Sequence, residues 1–257
     1  MSTTLAILGD FGAAFEFIFE SRESRAGTVQ VGGLEEFGSL TATHLLVSAV
    51  GLVIAVAIAV PIGIYLGHLG RFQFLAVSIS NVGRAVPVLA LIAFFIAFVG
   101  VGFTNVALVL VLLAIPPILT NAYVGTAQVD PDTVDSARGM GFSERQVLTR
   151  VELPIALPTI FGGIRTSSVN VVATATIAPF ANVQTLGVPI INFNVYGGTG
   201  QLAAAIAVAL ITLACDAGLG GVQRAVTPTG LKLAAGTGGA KRRRRFGLFP
   251  RRSVQPS

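Results

Sequence analysis

From Ala42 to Val129 the only formal charges are Arg71 and Arg84. No water-exposed surface can be built from such a stretch, because a soluble domain needs polar side chains to cover its apolar interior. The whole 257-residue chain is 53% hydrophobic and 11% charged, whereas soluble domains carry about 25% charged residues. Several apolar runs reach the length of about 20 residues that crosses a bilayer as a helix. The fold expected is therefore all-α and polytopic in a membrane.

Five spans are expected, at about residues 40–66, 72–99, 104–125, 159–180 and 201–222. Pro61 and Gly63 fall inside the first, and Gly83-Arg84-Ala85-Val86-Pro87 interrupts the second, which reads as an interfacial or kinked first half and a spanning second half. Pro116-Pro117 should break the ladder of the third. Residues 1–39 form an acidic N-terminal segment with a short amphipathic helix, too short and too charged to span. Residues 181–200 read as a polar, Gly-rich loop. Residues 223–257 form a flexible basic tail with the run Lys241-Arg242-Arg243-Arg244-Arg245. That run fits a juxtamembrane segment drawn to anionic lipid better than a nucleic-acid site. Met1–Asp10 lacks a basic n-region, so the first span would act as an uncleaved insertion signal.

Orientation follows from the Lys and Arg bias. The Arg71 turn, the segment around 130–152 and the tail share one side, and hold nearly all the basic residues. This puts them in the cytoplasm and the N-terminus outside.

The long apolar stretch ends abruptly. Eight charges arrive between Asp130 and Glu152. Asp132 reads as an N-cap with Asp135 in the first turn, starting a helix through about Arg138. Gly139 and Gly141 supply a left-handed stop. Ser143 and Gln146 form a capping-box pattern for a second helix through about Val151, which Pro154 should end. Two uses fit this helix, glycine turn, helix unit: a hairpin packed on its own spans, or a docking element for a partner.

The unit resembles the coupling segment of importer-type ABC permeases. Their pattern is E-A-A, three residues, G, nine residues, then I-x-L-P. This chain has Asp135-Ser136-Ala137, then Gly141, then Val151-Glu152-Leu153-Pro154, with every spacing kept. The resemblance implies five core helices and a cytoplasmic coupling helix over 132–154 in a bacterial cell membrane. It assigns Asp135, Ser136, Ala137, Gly141, Val151, Leu153 and Pro154 to coupling. The implied partners are a dimer of ATPase subunits, an extracytoplasmic substrate-binding protein and a second permease, identical or sibling. ATP would be used by the partner; this chain would be no enzyme and would bind no cofactor or metal itself.

Gly139-Met140-Gly141, Val151 to Pro158, Gly162-Gly163-Ile164-Arg165-Thr166 and Ala173 to Ala178 are similar to the osmoprotectant branch, which imports glycine betaine, choline, carnitine or proline betaine. The likeness covers about Leu40 to Val222. It weakens at Ala181-Asn182-Val183-Gln184-Thr185-Leu186-Gly187, where relatives carry a loop resembling I-G-A-G-G-L-G and only Leu186-Gly187 match. Another cargo (an amino acid, a sulfonate or an oxyanion) and an ion-driven secondary carrier are the alternatives.

Other residues carry weaker signals. Thr166, Asn170 and Thr174 recur at one helical face, which fits hydrogen bonding between helices or lining of the pathway. Asp216 reads as an interfacial charge, and Cys215 as a small buried side chain. His44 and His68 lie near the two ends of the first span, and no P-loop or reaction centre can be assembled.

Overall fold

The computed structural model describes residues 2–27, 29–70, 74, 78 and 86–227. The readings of Arg71, Arg84 and the tail beyond Thr227 fall outside those residues. Helix α1 (Ser2–Phe19) leads into a small antiparallel hairpin, β1 (Ser21–Glu23) with β2 (Gln30–Gly32), in which Arg22 faces Val31. Helix α2 (Gly33–His68) follows at once, so the first span begins upstream of Leu40, and 33–39 belong to it rather than to the N-terminal segment. The helix can start there because Glu36 reaches back and accepts the Gly32 N–H at 2.6 Å.

Next come α3 (Val88–Val99) and α4 (Phe103–Ala127). A polar unit of α5 (Pro131–Gly139) and α6 (Glu144–Val147) precedes a π-helical turn at Leu148–Glu152. Helix α7 (Leu153–Thr174) continues that turn and passes into a 3₁₀ segment, Ala175–Ala181. Helices α8 (Gly187–Ile191) and α9 (Phe193–Val226) complete the order. Among the described residues, four helices are long and apolar enough to span, and α3 is a shorter apolar helix.

Glycines set the spacing of the central helices. A Cβ at Gly63 would lie 2.5 Å from the Ala122 Cβ, and one at Gly163 would lie 2.6 Å from the Asn121 Cβ. Helices α2 and α7 therefore approach α4 nearly backbone to backbone, the way membrane helices gain packing where lipid offers no hydrophobic drive. Val47, Ala55, Leu110, Ala114, Ile118 and Val171 fill the core between them. Buried polar groups add ties. Ser167 donates to the Ala114 carbonyl at 2.9 Å, and the His44 Nε2 meets the Val172 carbonyl at 2.9 Å. His44 thus lies within α2 and fastens it to α7.

Three expectations are corrected. Pro116-Pro117 do not break α4, which runs on to Ala127 with both rings buried. Pro154 does not end a helix. The preceding turn widens so that the Leu153 N–H bonds the Leu148 carbonyl, and the ring enters α7 where its missing N–H costs least. Residues 181–200 are not a continuous loop. Buried Leu186, Gly187, Val188 and Pro189 give α8 its own packing, and Gly197 with φ 66° marks a kink within α9.

Candidate functional site

The α5–α6 unit is built on an inward apolar face. Val129, Val134, Ala137 and Val147 form a buried cluster, with Phe142, Val151 and Ile155 packed against it. The true N-cap is Asp130 rather than Asp132. Its carboxylate accepts the Asp132 N–H at 3.1 Å, and Pro131 takes the first helical position. Gly139 stays helical, while Gly141 turns the chain with φ 86°. There the Phe142 N–H reaches the Ala137 carbonyl at 3.2 Å and the Gly141 N–H the Arg138 carbonyl at 2.9 Å. Gln146 accepts the Ser143 N–H at 2.9 Å, which starts α6.

Charged side chains lock the unit to the bundle. Arg138 donates through Nε and Nη2 to the two Glu144 oxygens, each at 3.0 Å, and lies 3.3 Å from Asp135. The Glu144 carboxylate holds the Arg138 guanidinium above its usual pKa, so it stays charged throughout the physiological range. Glu144 in turn lies 3.5 Å from His68 Nε2, and His68 Nδ1 meets the buried Glu152 at 2.6 Å. His68 is the last residue of α2. The first span and the polar unit are therefore fastened through one imidazole, a tie between residues too far apart in sequence for any local pattern to reveal.

The seven residues assigned to coupling separate into two sets. Asp135, Ser136 and Gly141 are exposed on the outer side, while Ala137, Val151, Leu153 and Pro154 are packed or half-packed inward. Met140 stands beside the exposed set with 70% of its surface free. It is a large apolar side chain exposed at the tip of an otherwise charged unit.

The polar face of α7 is also present. Thr166 and Asn170 are exposed and Thr174 is half-buried. Thr166 and Asn170 open into a groove of about 330 Å³ shared with Gly162, Arg165, Val169 and Asp216. Arg165 and Asp216 join α7 to α9 beside this groove. They form a two-pronged pair, Nε to Oδ1 at 3.0 Å and Nη2 to Oδ2 at 2.8 Å. Gln223 accepts from Nη1 at 2.9 Å and donates its amide to the Pro158 carbonyl at 2.7 Å. Arg165 lies inside α7, which begins at Leu153, and Asp216 inside α9, which continues to Val226. Among the described residues, no cluster of His, Cys, Asp or Glu could hold a metal ion.

Long apolar helices packed through small residues, with a folded charged unit at one end and a polar groove in the side, are the build of a multi-pass membrane protein. The sequence pattern of the family described as "Binding-protein-dependent transport system inner membrane component" matches residues 59–246. The carnitine transport permease protein OpuCB of Listeria monocytogenes is 35% identical over 192 residues, covering 74% of this chain and 88% of that protein. The glycine betaine/carnitine/choline transport system permease protein OpuCB of Bacillus subtilis (strain 168) is 33% identical over 193 residues, covering 75% and 89%. An inward-facing structure of the MetNI methionine ABC transporter shares the fold, with a TM-score of 0.66 at 18% identity over 76% of this chain and 98% of that one. The chain belongs to the binding-protein-dependent family and is a membrane permease of an ABC importer. The ion-driven carrier alternative falls with that assignment.

Proposed function

We propose that this permease forms half of an ATP-driven import pathway for quaternary-ammonium osmoprotectants such as glycine betaine, carnitine, choline and proline betaine. The carrying observation is the 35% identity, over most of both chains, to a carnitine permease. An external binding protein delivers the cargo, since a chain with no Trp and three Tyr has little material for an aromatic cation cage. The α5–α6 unit faces the cytoplasm and seats in an ATPase subunit, with Asp135, Ser136, Met140 and Gly141 as the contact face and Ala137, Val151, Leu153 and Pro154 as its base. Nucleotide-driven closure of two ATPase subunits moves this face. The motion biases the spans between inward-open and outward-open states because the two states differ in affinity for the closed ATPase. The face bearing Thr166, Asn170 and Thr174 lines the pathway against a second permease, identical or sibling, since exposed polar side chains in a span avoid lipid.

The test is reconstitution of the permease with its ATPase and binding protein in proteoliposomes, followed by uptake of labelled glycine betaine, carnitine and choline. ATP-dependent uptake of at least one is expected. Uptake of an amino acid or sulfonate alone would overturn the cargo, and uptake without ATP hydrolysis would overturn the drive.

A further inference from the structure

The Arg165–Asp216 pair stands out because of its depth. At a rise of about 1.5 Å per residue, Asp216 lies ~12 Å along α9 from Arg224, and Arg165 lies ~20 Å along α7 from Glu152. Both places lie within helices long and apolar enough to cross a hydrocarbon layer of about 30 Å. Charges at that depth are costly wherever they meet lipid, so they face protein or water. Here they are not sealed in. The side chains of Arg165 and Asp216 remain 34% and 37% exposed, and both open into the groove with Thr166 and Asn170.

The pair is also held in place. A Cβ at Gly220 would come within 3.2 Å of the Arg165 guanidinium carbon, so the bare backbone of α9 leaves the space that the guanidinium occupies. Gln223 fixes Nη1, and Asp216 fixes Nε and Nη2. Guanidinium N–H groups and carboxylate lone pairs beyond these bonds remain for a further partner. The Asn170 side chain is exposed, has no side-chain partner among the described residues and opens into the same groove. At about 330 Å³ the groove is in the size range of small-molecule sites.

From these observations we infer that Arg165 and Asp216 form a station within the membrane-spanning helices that contacts the cargo during passage. Arg165 meets the carboxylate end of a zwitterion, and Asp216 meets its cationic end. The inference rests on the proposed osmoprotectant cargo and adds to it the residues that select by charge. A net-neutral pair is suited to a net-neutral solute: it offers both signs side by side, without a surplus charge that would hold a cation or an anion too firmly to release.

The experiment uses the full transporter in proteoliposomes, with labelled glycine betaine as the zwitterion and labelled choline as the cation lacking a carboxylate. In Arg165→Gln, the ratio of glycine betaine to choline uptake should fall at least about fivefold, the loss of one charge-assisted contact. Equal loss of both cargos overturns the carboxylate contact. A second variant, Arg165→Met with Asp216→Leu, replaces the pair by packing. It should still assemble with the ATPase and keep hydrolysis stimulated by loaded binding protein, while glycine betaine uptake drops about tenfold or more. Uptake within about twofold of wild type would make the pair a helix tie and overturn the inference. Should that variant fail to assemble, the reversed pair Arg165→Asp with Asp216→Arg decides: restored uptake of both cargos at the wild-type ratio means a tie, and assembly with an altered ratio supports the station. A wild-type transporter that moves none of glycine betaine, choline and carnitine removes the cargo reading and this inference together, which is visible before any variant is made.

Discussion

The α5–α6 unit and the 181–192 segment sit at opposite ends of the same continuous helical stretch, Glu144–Ala181. Both are short, irregular and anchored by buried residues, yet they spend their sequence differently. In the first, the pattern typical of the family runs through both faces. Ala137 is buried and Asp135 exposed, and Gly141 holds a turn that needs φ 86°. In the second, the matching residues Leu186 and Gly187 are buried. A Cβ on Gly187 would overlap the Thr176 carbonyl, and Thr185 donates to the Ala175 carbonyl at 2.9 Å. Of the five departing residues, Asn182 and Gln184 are exposed, whereas Ala181, Val183 and Thr185 are buried. The comparison teaches that burial alone does not hold this chain to the family pattern: the buried positions 181, 183 and 185 depart from it, while Gly187, where a Cβ has no room, keeps it.

The largest effect should break the second region outright. Gly187→Val forces the backbone away from Thr176, at a cost of about 3 kcal/mol or more, and should abolish monodisperse protein in detergent. Normal yield and melting would show that α8 is not needed for the fold. Next, His68→Ala leaves the buried Glu152 without its partner, costing about 3 kcal/mol. The expected result is a lower melting temperature together with weaker ATP-dependent uptake, and restoration of both by the further change Glu152→Gln would confirm that the tie holds the unit in place. Gly141→Val meets no neighbouring atom but is strained by roughly 1–2 kcal/mol at its positive φ. It should leave insertion intact and reduce transport coupled to hydrolysis, while Gly141→Asn, which tolerates that region, should retain most of it. Unchanged coupling in the valine variant would remove Gly141 from the proposed contact.

Smaller effects sharpen the difference between the faces. Met140→Glu should leave melting within about 0.5 kcal/mol of wild type, as surface changes do, yet weaken co-purification with the ATPase. Equal recovery of the ATPase would take Met140 off the docking face. Gln184→Ala should be the mildest, changing neither melting nor assembly. Any change it makes should appear only in the concentration of loaded binding protein needed for half-maximal uptake.

Much of the architecture was legible because apolar length and charge spacing are local signals. The spans, the two-helix polar unit and its glycine turn follow from residues near one another. What escaped depends on contacts made at a distance. Pro154 reads as a stop unless the widened turn at Leu148–Glu152 is known, and that turn leaves no mark in composition. The polar look of 181–200 hid α8, whose helix is held by burial rather than by propensity. Asp216 looked interfacial because Arg165, its partner on another helix, lies far away in the sequence. His68 looked like a helix end, and its bond to Glu152 joins two spans' termini that no window contains together.

The uninterrupted helical run from Glu144 to Ala181 has a mechanical meaning. At about 1.5 Å per residue it is a strut of ~57 Å. One end carries the charged unit, its middle carries Arg165, and its far end carries the segment beside α8. No slack connector lies between them to absorb a displacement. The widened turn at Leu148–Glu152 keeps the run helical through Pro154, so the charged unit and the groove beside Arg165 belong to one continuous element.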